Sequence, residues 1–251
     1  MFDKNKIADD FSFAANNYGA RAKLQAKIGE SLIKKTTPHI VPDALLLDVG
    51  AGSGELTKHW PVARSIPLDF AVGMCEEAAK KNMVAINARA EQLPIQNEVV
   101  DVLASNLMLQ WIPESERFFA ESFRVLKPCG IFALTHFAEG TLAELDRAFT
   151  EAGQGARVSK FHAPNIITKQ VRDAGFDIIL ESNETLQEKY YGVMDLCAFI
   201  RDIGASNKRS DRPRGLLSPR ALRKVTAAYP REGLHITASW VVQTIVARKV
   251  K

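Results

Sequence analysis

The sequence predicts an α/β protein built on a doubly wound, mostly parallel seven-stranded sheet, and three observations carry that prediction. The run Leu45-Leu46-Leu47-Asp48-Val49-Gly50-Ala51-Gly52-Ser53-Gly54 passes from apolar residues through an acid into three alternating glycines, as a buried strand entering a nucleotide-binding turn does. Arg64-Ser65-Ile66-Pro67-Leu68-Asp69-Phe70 reads as a second strand ending in a carboxylate, about twenty residues beyond the end of the first. Apolar runs then alternate with amphipathic stretches to the end of the chain, the pattern of strands wound through helices.

Taken in order, Phe11-Ser12-Phe13-Ala14-Ala15-Asn16-Asn17-Tyr18 leads into a helix over 20–35. The first strand spans 45–49, and a short helix is expected at 55–60, after the glycines. The second strand covers 64–69, and a helix over 74–81 follows Gly73. Strands are expected at 83–88 and 99–105, the latter holding Asp101 near its start. A helix over 114–126 runs into the turn Arg124-Val125-Leu126-Lys127-Pro128-Cys129-Gly130, which delivers a strand at 130–136. Helices at 141–152 and 165–174 precede a strand at 177–185, and helices at 193–203 and 218–229 occupy the long excursion after it. The last strand, 239–248, alternates large apolar side chains along Trp240-Val241-Val242-Gln243-Thr244-Ile245-Val246 and is expected to run antiparallel.

These elements make one domain over 1–251: N-terminal helical segment 1–43, core 44–185, helical cap 186–238 and last strand 239–251. At 251 residues and 46% apolar content the chain can bury one large core. No basic-then-apolar leader opens it and no window is apolar for long enough to span a bilayer, so a cytoplasmic location without membrane contact is expected. Cys75, Cys129 and Cys197 are odd in number and widely separated, and the five histidines show no ligand pair at helical or loop spacing. A disulfide framework and a metal are therefore not expected.

The glycine turn lets backbone approach a ligand closely, which a Cβ would hinder. A dinucleotide fingerprint would place Gly or Ala three residues after Gly52, where this chain has Glu55. Asp69 can accept both hydroxyls of a ribose, each such bond to a charged acceptor contributing roughly 1.5–3 kcal/mol. Its alternative is a solvated loop aspartate capping the next helix.

The G-x-G-x-G form preceded by Asp48 resembles motif I of the class I S-adenosylmethionine (SAM) methyltransferases, whose Rossmann-like fold matches the predicted one. The resemblance implies SAM as methyl donor, held by Gln25, Asp48, Gly50, Gly52, Gly54, Asp69, Phe70, Met74, Ala90, Glu91, Asn106 and Leu107. Asn87-Ala88-Arg89-Ala90-Glu91-Gln92-Leu93-Pro94 resembles the adenine-binding loop, but Arg89 stands where that family usually has an acid. Cys129 replaces the first glycine of an R-V-L-K-P-G-G turn, for which a structural role is expected.

A narrower resemblance covers nearly the whole chain. Tyr18 with Ala22 and Gln25, Ser105-Asn106-Leu107 with Leu109-Gln110-Trp111, and Gly140-Thr141-Leu142-Ala143-Glu144-Leu145 are similar to the biotin-pathway malonyl-[acyl-carrier protein] O-methyltransferases. So are Ile203-Gly204-Ala205-Ser206-Asn207, Arg212, Gly215-Leu216-Leu217 and Tyr229, whereas Phe13 departs from the family's usual basic residue. The resemblance implies methylation of the free carboxylate of a malonyl thioester. A carboxylate is ionised near neutral pH and needs no general base, so no catalytic acid or base is expected. Positioning would do the work, with substrate contacts from Tyr18, Gln110, Trp111, Arg201 and, as first choice for the cation that orients the carboxylate, Arg212. The N-terminal segment and the cap are expected to act as a lid, since methyl transfer gains from excluding water.

Lys208, Arg209, Arg212, Arg214, Arg220, Arg223 and Lys224 cluster with Asp211 as the only acid among them. Such a patch attracts an acidic surface or a phosphate, and acyl carrier protein offers both. Nucleic acid is the rival partner, but basic residues are not interleaved with aromatics here and no Asn-Pro-Pro-Tyr-type motif follows the fourth strand, so none is expected. Two alternatives share every cofactor residue: a SAM methyltransferase for another small acceptor, such as a quinone precursor or organic acid, and a noncatalytic SAM-binding protein.

Overall fold

The computed structural model describes residues 23–155, 157–202, 217–231 and 233–250. Tyr18, Lys208, Arg209, Arg212 and Arg214 lie outside the described residues, as do 1–22 of the expected lid and 203–216 of the cap. Helix α1, Lys23–Thr36, precedes strands β1, Leu45–Val49, and β2, Arg64–Asp69. Next come α2, Val72–Ala79, β3, Ile86–Asn87, β4, Val100–Asn106, α3, Ser115–Val125, and β5, Leu126–Phe137. The chain continues through α4, Ala143–Glu151, α5, Pro164–Asp173, β6, Phe176–Tyr190, α6, Val193–Asp202, α7, Pro219–Ala228, and β7, Ile236–Lys249.

The seven strands form one sheet in the order β3-β2-β1-β4-β5-β7-β6. β1 pairs in parallel with β2 through Asp48↔Pro67 and Val49↔Leu68, and with β4 through Asp48↔Ala104. β7 alone runs antiparallel, against β5 on one side and β6 on the other. The strand order reverses between β1 and β4, and in open α/β sheets ligands bind in the crevice beyond the carboxyl ends of strands at such a switch point.

Both faces of the sheet are buried, as a parallel sheet requires. Leu47, Val49, Leu103, Phe132 and Leu134 pack one face against Phe118 and Phe119 of α3 and Val171 of α5. Their neighbours Leu46, Val102, Ala104, Ile131 and Ala133 pack the other against Leu32 of α1 and Trp60. The period-two alternation explains why the first strand reads as a continuous apolar run. Phe132 sits at the centre of an aromatic cluster, edge-on to Phe119 at 6.0 Å and stacked on Phe176 at 4.9 Å.

β7 pairs with β5 only from Arg248 back to Val242, while its pairing with β6 continues to Ile236↔Tyr190. The two strands therefore extend as a ribbon past the carboxyl end of β5, the edge that carries the switch point. A third cluster fills this overhang, joining Phe137, Tyr190, Leu196, Val225, Tyr229 and Trp240 with Leu24 and Ile28 of α1. β6 runs five residues beyond the expected 185 and β7 begins three before the expected 239, so the excursion between them is 191–235 rather than 186–238.

Three elements differ from expectation for local reasons. The helix expected at 55–60 is a single 3-10 turn, Thr57–His59, because Pro61 forces Trp60 into extended backbone, φ −69° and ψ 133°. The strand expected at 83–88 shrinks to Ile86–Asn87, an edge strand paired only with β2 after a reversal at Asn82, φ +61°. β5 starts at Leu126 rather than 130 and absorbs the Lys127-Pro128-Cys129-Gly130 turn as a bulge, with Val100 facing Leu126 and Val102 facing Ile131. Cys129 takes φ +65° there, the conformation for which glycine is the default residue. No helix among the described residues is long and apolar enough to cross a membrane.

Candidate active site

The turn after β1 is shaped by positive φ at Gly50, Gly52 and Gly54 (+73°, +56° and +73°). At Gly50 a Cβ would also lie 2.5 Å from Met108 Cγ, so the strand end and the β4 loop meet over bare backbone. The main chain is anchored sideways to β2, with Gly50 N and Ala51 N donating to Leu68 O at 2.8 and 3.1 Å. Glu55 does not enter the turn's interior. It is half-exposed and pairs with Lys58 at 2.6 Å and with Lys81, which itself donates to Ser53 O at 2.9 Å. The two lysines hold the Glu55 carboxyl down at about 2, and together they clip the turn to the end of α2.

Asp69 closes β2 beneath this turn. Its Oδ2 accepts from Gly52 N and its Oδ1 from Ala71 N, both at 2.9 Å. A carboxylate has about four acceptor positions, more than the neighbouring backbone amides occupy. Burial raises the Asp69 pKa, against the lowering effect of the Ala71, Gly52 and Phe70 amides. Asp48 lies deeper, 2% exposed, and accepts from Thr57 Oγ1 at 2.6 Å. Burial pushes it up to about 6; the Thr57 hydroxyl opposes that rise and the Asp69 charge adds to it. Asp48 does not line the recess described next. It tethers the segment that follows the glycines, and it adds a second acidic group below the turn.

Beyond the strand ends opens a recess walled by Val49, Gly50, Phe70, Ala90, Met108 and Trp111, with Arg89 and Glu91 supplying charged groups on its wall. Ala88 N donates to Asp69 O at 3.1 Å, which sets the 88–91 loop beside the carboxylate. Glu91 thus brings an acid to this wall although Arg89 occupies the position where the sequence resemblance places one. Met74 does not reach the recess: it is 1% exposed within the packing of α2.

The Asn106 side chain is bonded at both ends. Its Nδ2 donates to Gln25 O at 3.1 Å and its Oδ1 accepts from Thr135 Oγ1 at 2.6 Å, tying α1 to β5. Leu107 follows at φ +54°, its N–H donating to Thr135 O at 3.0 Å. A leucine held in that conformation at a strand end is the kind of strain that collects at ligand sites. Gln25, 8% exposed, has an Oε1 without a hydrogen-bond partner among the described residues, an orphaned acceptor that a ligand cation would satisfy. Gln110 donates to Leu107 O at 2.5 Å while its own Oε1 is likewise buried and unpaired.

A second cleft adjoins the recess and shares Trp111 and Ile112 with it. Its wall brings Gln110 and Phe137 together with Lys160, Phe161 and His162. The last three are functional candidates that the sequence did not signal, because they sit on an irregular segment brought here only by the topology. Met108 and Ile112 were also missed, although both directly flank residues of the β4 loop that the sequence singled out. Arg201 is exposed at the end of α6 and lines neither cavity.

The buried acid at the end of β2, the positive-φ glycine turn, the apolar slot and the orphaned Gln25 oxygen fit an adenosyl cofactor bearing a positive charge. A family model described as a methyltransferase domain matches residues 47–134. The fold is similar to that of a protein of known structure from Bacillus halodurans, with TM-score 0.63 at 15% identity over 89% of this chain and 99% of that one. Fold and site together define a class I SAM-dependent methyltransferase. Over the full length, the chain is 34% identical to a malonyl-[acyl-carrier protein] O-methyltransferase of Methylococcus capsulatus, covering 98% of this chain and 94% of the relative. It is also 34% identical to that of Hahella chejuensis, over 91% and 84%. The chain belongs to the malonyl-[acyl-carrier protein] O-methyltransferase family.

Proposed function

We propose that this enzyme methylates the free carboxylate of a malonyl group carried on acyl carrier protein, giving the methyl ester that primes pimeloyl synthesis for biotin. The observation that carries the reading is the similarity to relatives of that name over nearly the whole chain, cap included. In support, the two adjoining cavities provide separate room for a cofactor and an acceptor, with Trp111 and Ile112 between them.

In this reading Asp69 accepts the ribose hydroxyls with its remaining lone pairs, and the 88–91 loop takes the adenine through the Ala90 main chain and the Glu91 carboxylate. The main chain at Gly50, Gly52 and Gly54 lies along the methionine portion, and Gln25 Oε1 accepts from its ammonium group. SAM supplies an electrophilic methyl: a carboxylate oxygen gains the methyl, the S–CH3 bond breaks, and its electron pair remains on sulfur. The acceptor carboxylate has a pKa near 4 and is already ionised, so no residue need remove a proton and no metal is called for. The residues' task is orientation, which can supply about 7–11 kcal/mol of a barrier. Gln110 and Trp111 stand where the cavities meet, and Arg212 is the family-implied cation for the carboxylate. The exposed Arg220, Arg223 and Lys224 on the outer face of α7 continue the basic patch that would draw the acidic carrier protein in the cytoplasm.

The test is transfer of labelled methyl from SAM to malonyl-acyl carrier protein, with malonyl-coenzyme A, free malonate and acetyl-acyl carrier protein alongside. Transfer that requires the malonyl carboxylate and favours the carrier protein is expected. Transfer to none of them, with SAM still bound, would send the assignment to another small acceptor.

A further inference from the structure

The cleft beside the cofactor recess has an unusual charge balance. It is lined by Lys160, His136 and His162, and no Asp or Glu among the described residues contributes to its wall. His136 forms part of the floor rather than a free cation. Its Nδ1 lies 2.9 Å from Phe137 O and its Nε2 2.6 Å from Gln243 Oε1, and burial lowers its pKa. Lys160 and His162 are exposed at the mouth, on a segment pinned at two points. Phe161 sets its ring edge-on to Phe137 at 5.9 Å, and His162 O accepts from Glu139 N at 3.0 Å. The Phe137 ring in turn packs against Trp240 at 5.1 Å, so the overhanging ribbon buttresses the segment. Lys160 and His162 thereby share this wall with Gln110 and Trp111, on a segment whose anchors do not depend on their own charge.

We propose that Lys160, assisted by His162, holds the carboxylate of the malonyl acceptor in this cleft and sets the preference for an acyl group with an anionic end. The proposal rests on the acceptor reading above and gives to Lys160 the carboxylate contact that the family resemblance implies for Arg212. Lys160 is a point charge on a flexible stem, so it attracts the carboxylate without the bidentate fork of an arginine, leaving an oxygen lone pair available to attack. Methylation erases the charge that Lys160 reads, so the ester product loses the contact that retained the substrate. Gln110 also lines this cleft, and its Oε1, buried and without a hydrogen-bond partner among the described residues, is an acceptor for an amide N–H of a pantetheine arm entering it.

The experiment compares wild type with Lys160→Met, His162→Gln, Lys160→Arg and Arg212→Ala. Three quantities are measured: KM for malonyl-acyl carrier protein, the dissociation constant for SAM, and binding of malonyl- against acetyl-coenzyme A to enzyme loaded with S-adenosylhomocysteine. Lys160→Met is expected to raise KM by about tenfold or more, as loss of a charge-assisted contact does. It should also abolish the preference for malonyl over acetyl binding and leave SAM affinity unchanged, while Lys160→Arg restores most of the preference. Unchanged SAM binding and circular dichroism establish that these variants are folded. A KM unaltered in Lys160→Met but raised in Arg212→Ala gives the contact to Arg212 and overturns the proposal. If wild type transfers methyl to no malonyl acceptor, the functional reading fails separately. The binding arm still decides Lys160: equal affinity for malonyl- and acetyl-coenzyme A overturns the anion site, and a malonyl preference lost in Lys160→Met sustains it.

Discussion

The cofactor recess and the acceptor cleft lie side by side at one sheet edge, yet they are made differently. The recess comes from the ends of β1 and β2 and the loops that follow β1, β2, β3 and β4, within Val49 to Ile112, and the strands that carry these loops are fixed by backbone pairing. The cleft draws on residues 109–113, the end of β5 and the segment after α4, and it is buttressed by Trp240 of the overhanging ribbon. What differs is the source of rigidity: backbone hydrogen bonds for the cofactor, and aromatic packing of Phe137, Phe161 and Trp240 for the acceptor. A methyltransferase of this class can keep the first constant and vary the second, which is how one fold serves many acceptors.

The sharpest way to test that division is at Asp69. Asp69→Ala is expected to weaken SAM binding at least tenfold, and about a hundredfold if both ribose hydroxyls bond it at roughly 1.5 kcal/mol or more each. Acceptor KM at saturating SAM should hold, measured by calorimetry and initial rates together. An unaltered dissociation constant would remove Asp69 from the cofactor site. Gly50→Ala follows in size. The alanine must bear φ +73° and also meet Met108, a strain of about 1–2 kcal/mol from the backbone alone, so SAM affinity should fall by about tenfold. Pairing it with Met108→Ala should recover the part due to overlap and leave the backbone part; full recovery would mean that positive φ at Gly50 contributes nothing.

The same division governs what could be read from the sequence. β1 and β2 occupy 45–49 and 64–69, the spans that their apolar runs and terminal acids indicated, and Asp69 lies under the turn as its position implied. These signals are local: a strand, its bend and its carboxylate are neighbours in the chain. The 55–60 helix was misjudged because the residues have helical character but Pro61 dictates the exit. The Asn106 side chain bridges α1 to β5, a connection which no single-chain pattern reveals. Lys160 and His162 carried no signal at all. A lysine in a loop reads as solvated until the contact of its neighbour Phe161 with Phe137 brings it to the wall of a cleft.

A smaller effect separates stability from binding beneath the glycine turn. Asp48 has a pKa of about 6 when folded, against 3.8 for the free side chain. The folded state therefore holds a proton that the unfolded state has released between about pH 4 and 6. Stability falls as pH rises through that window and is lowest above it. Two pKa units correspond to about 3 kcal/mol, so Asp48→Asn, which can still accept from Thr57, should raise the Tm at pH 8 by several degrees and leave it unchanged near pH 4. An equal gain at both pH values would show that the stabilisation has nothing to do with the buried charge. If the carboxylate also serves the bound cofactor's positive charge, the same variant binds SAM less tightly, a trade of function against stability.

The least expected effect belongs to the outer face of α7, where Arg220, Arg223 and Lys224 are exposed while Ala221 and Val225 turn inward. Removing all three charges leaves the packing of the helix intact, so any consequence is electrostatic. Exposed charges are worth little singly, about 0.2–1 kcal/mol, and they act mainly on encounter rate. The triple alanine variant should raise KM for malonyl-acyl carrier protein about threefold at low ionic strength, with no change for malonyl-coenzyme A, and the difference should vanish as salt shortens the screening length to a few ångströms. If both acceptors weaken equally, the patch attracts the phosphate that they share rather than the acidic protein surface. If neither changes, recognition of the carrier protein is confined to the arm that enters the cleft, and α7 is simply a solvated face of the cap.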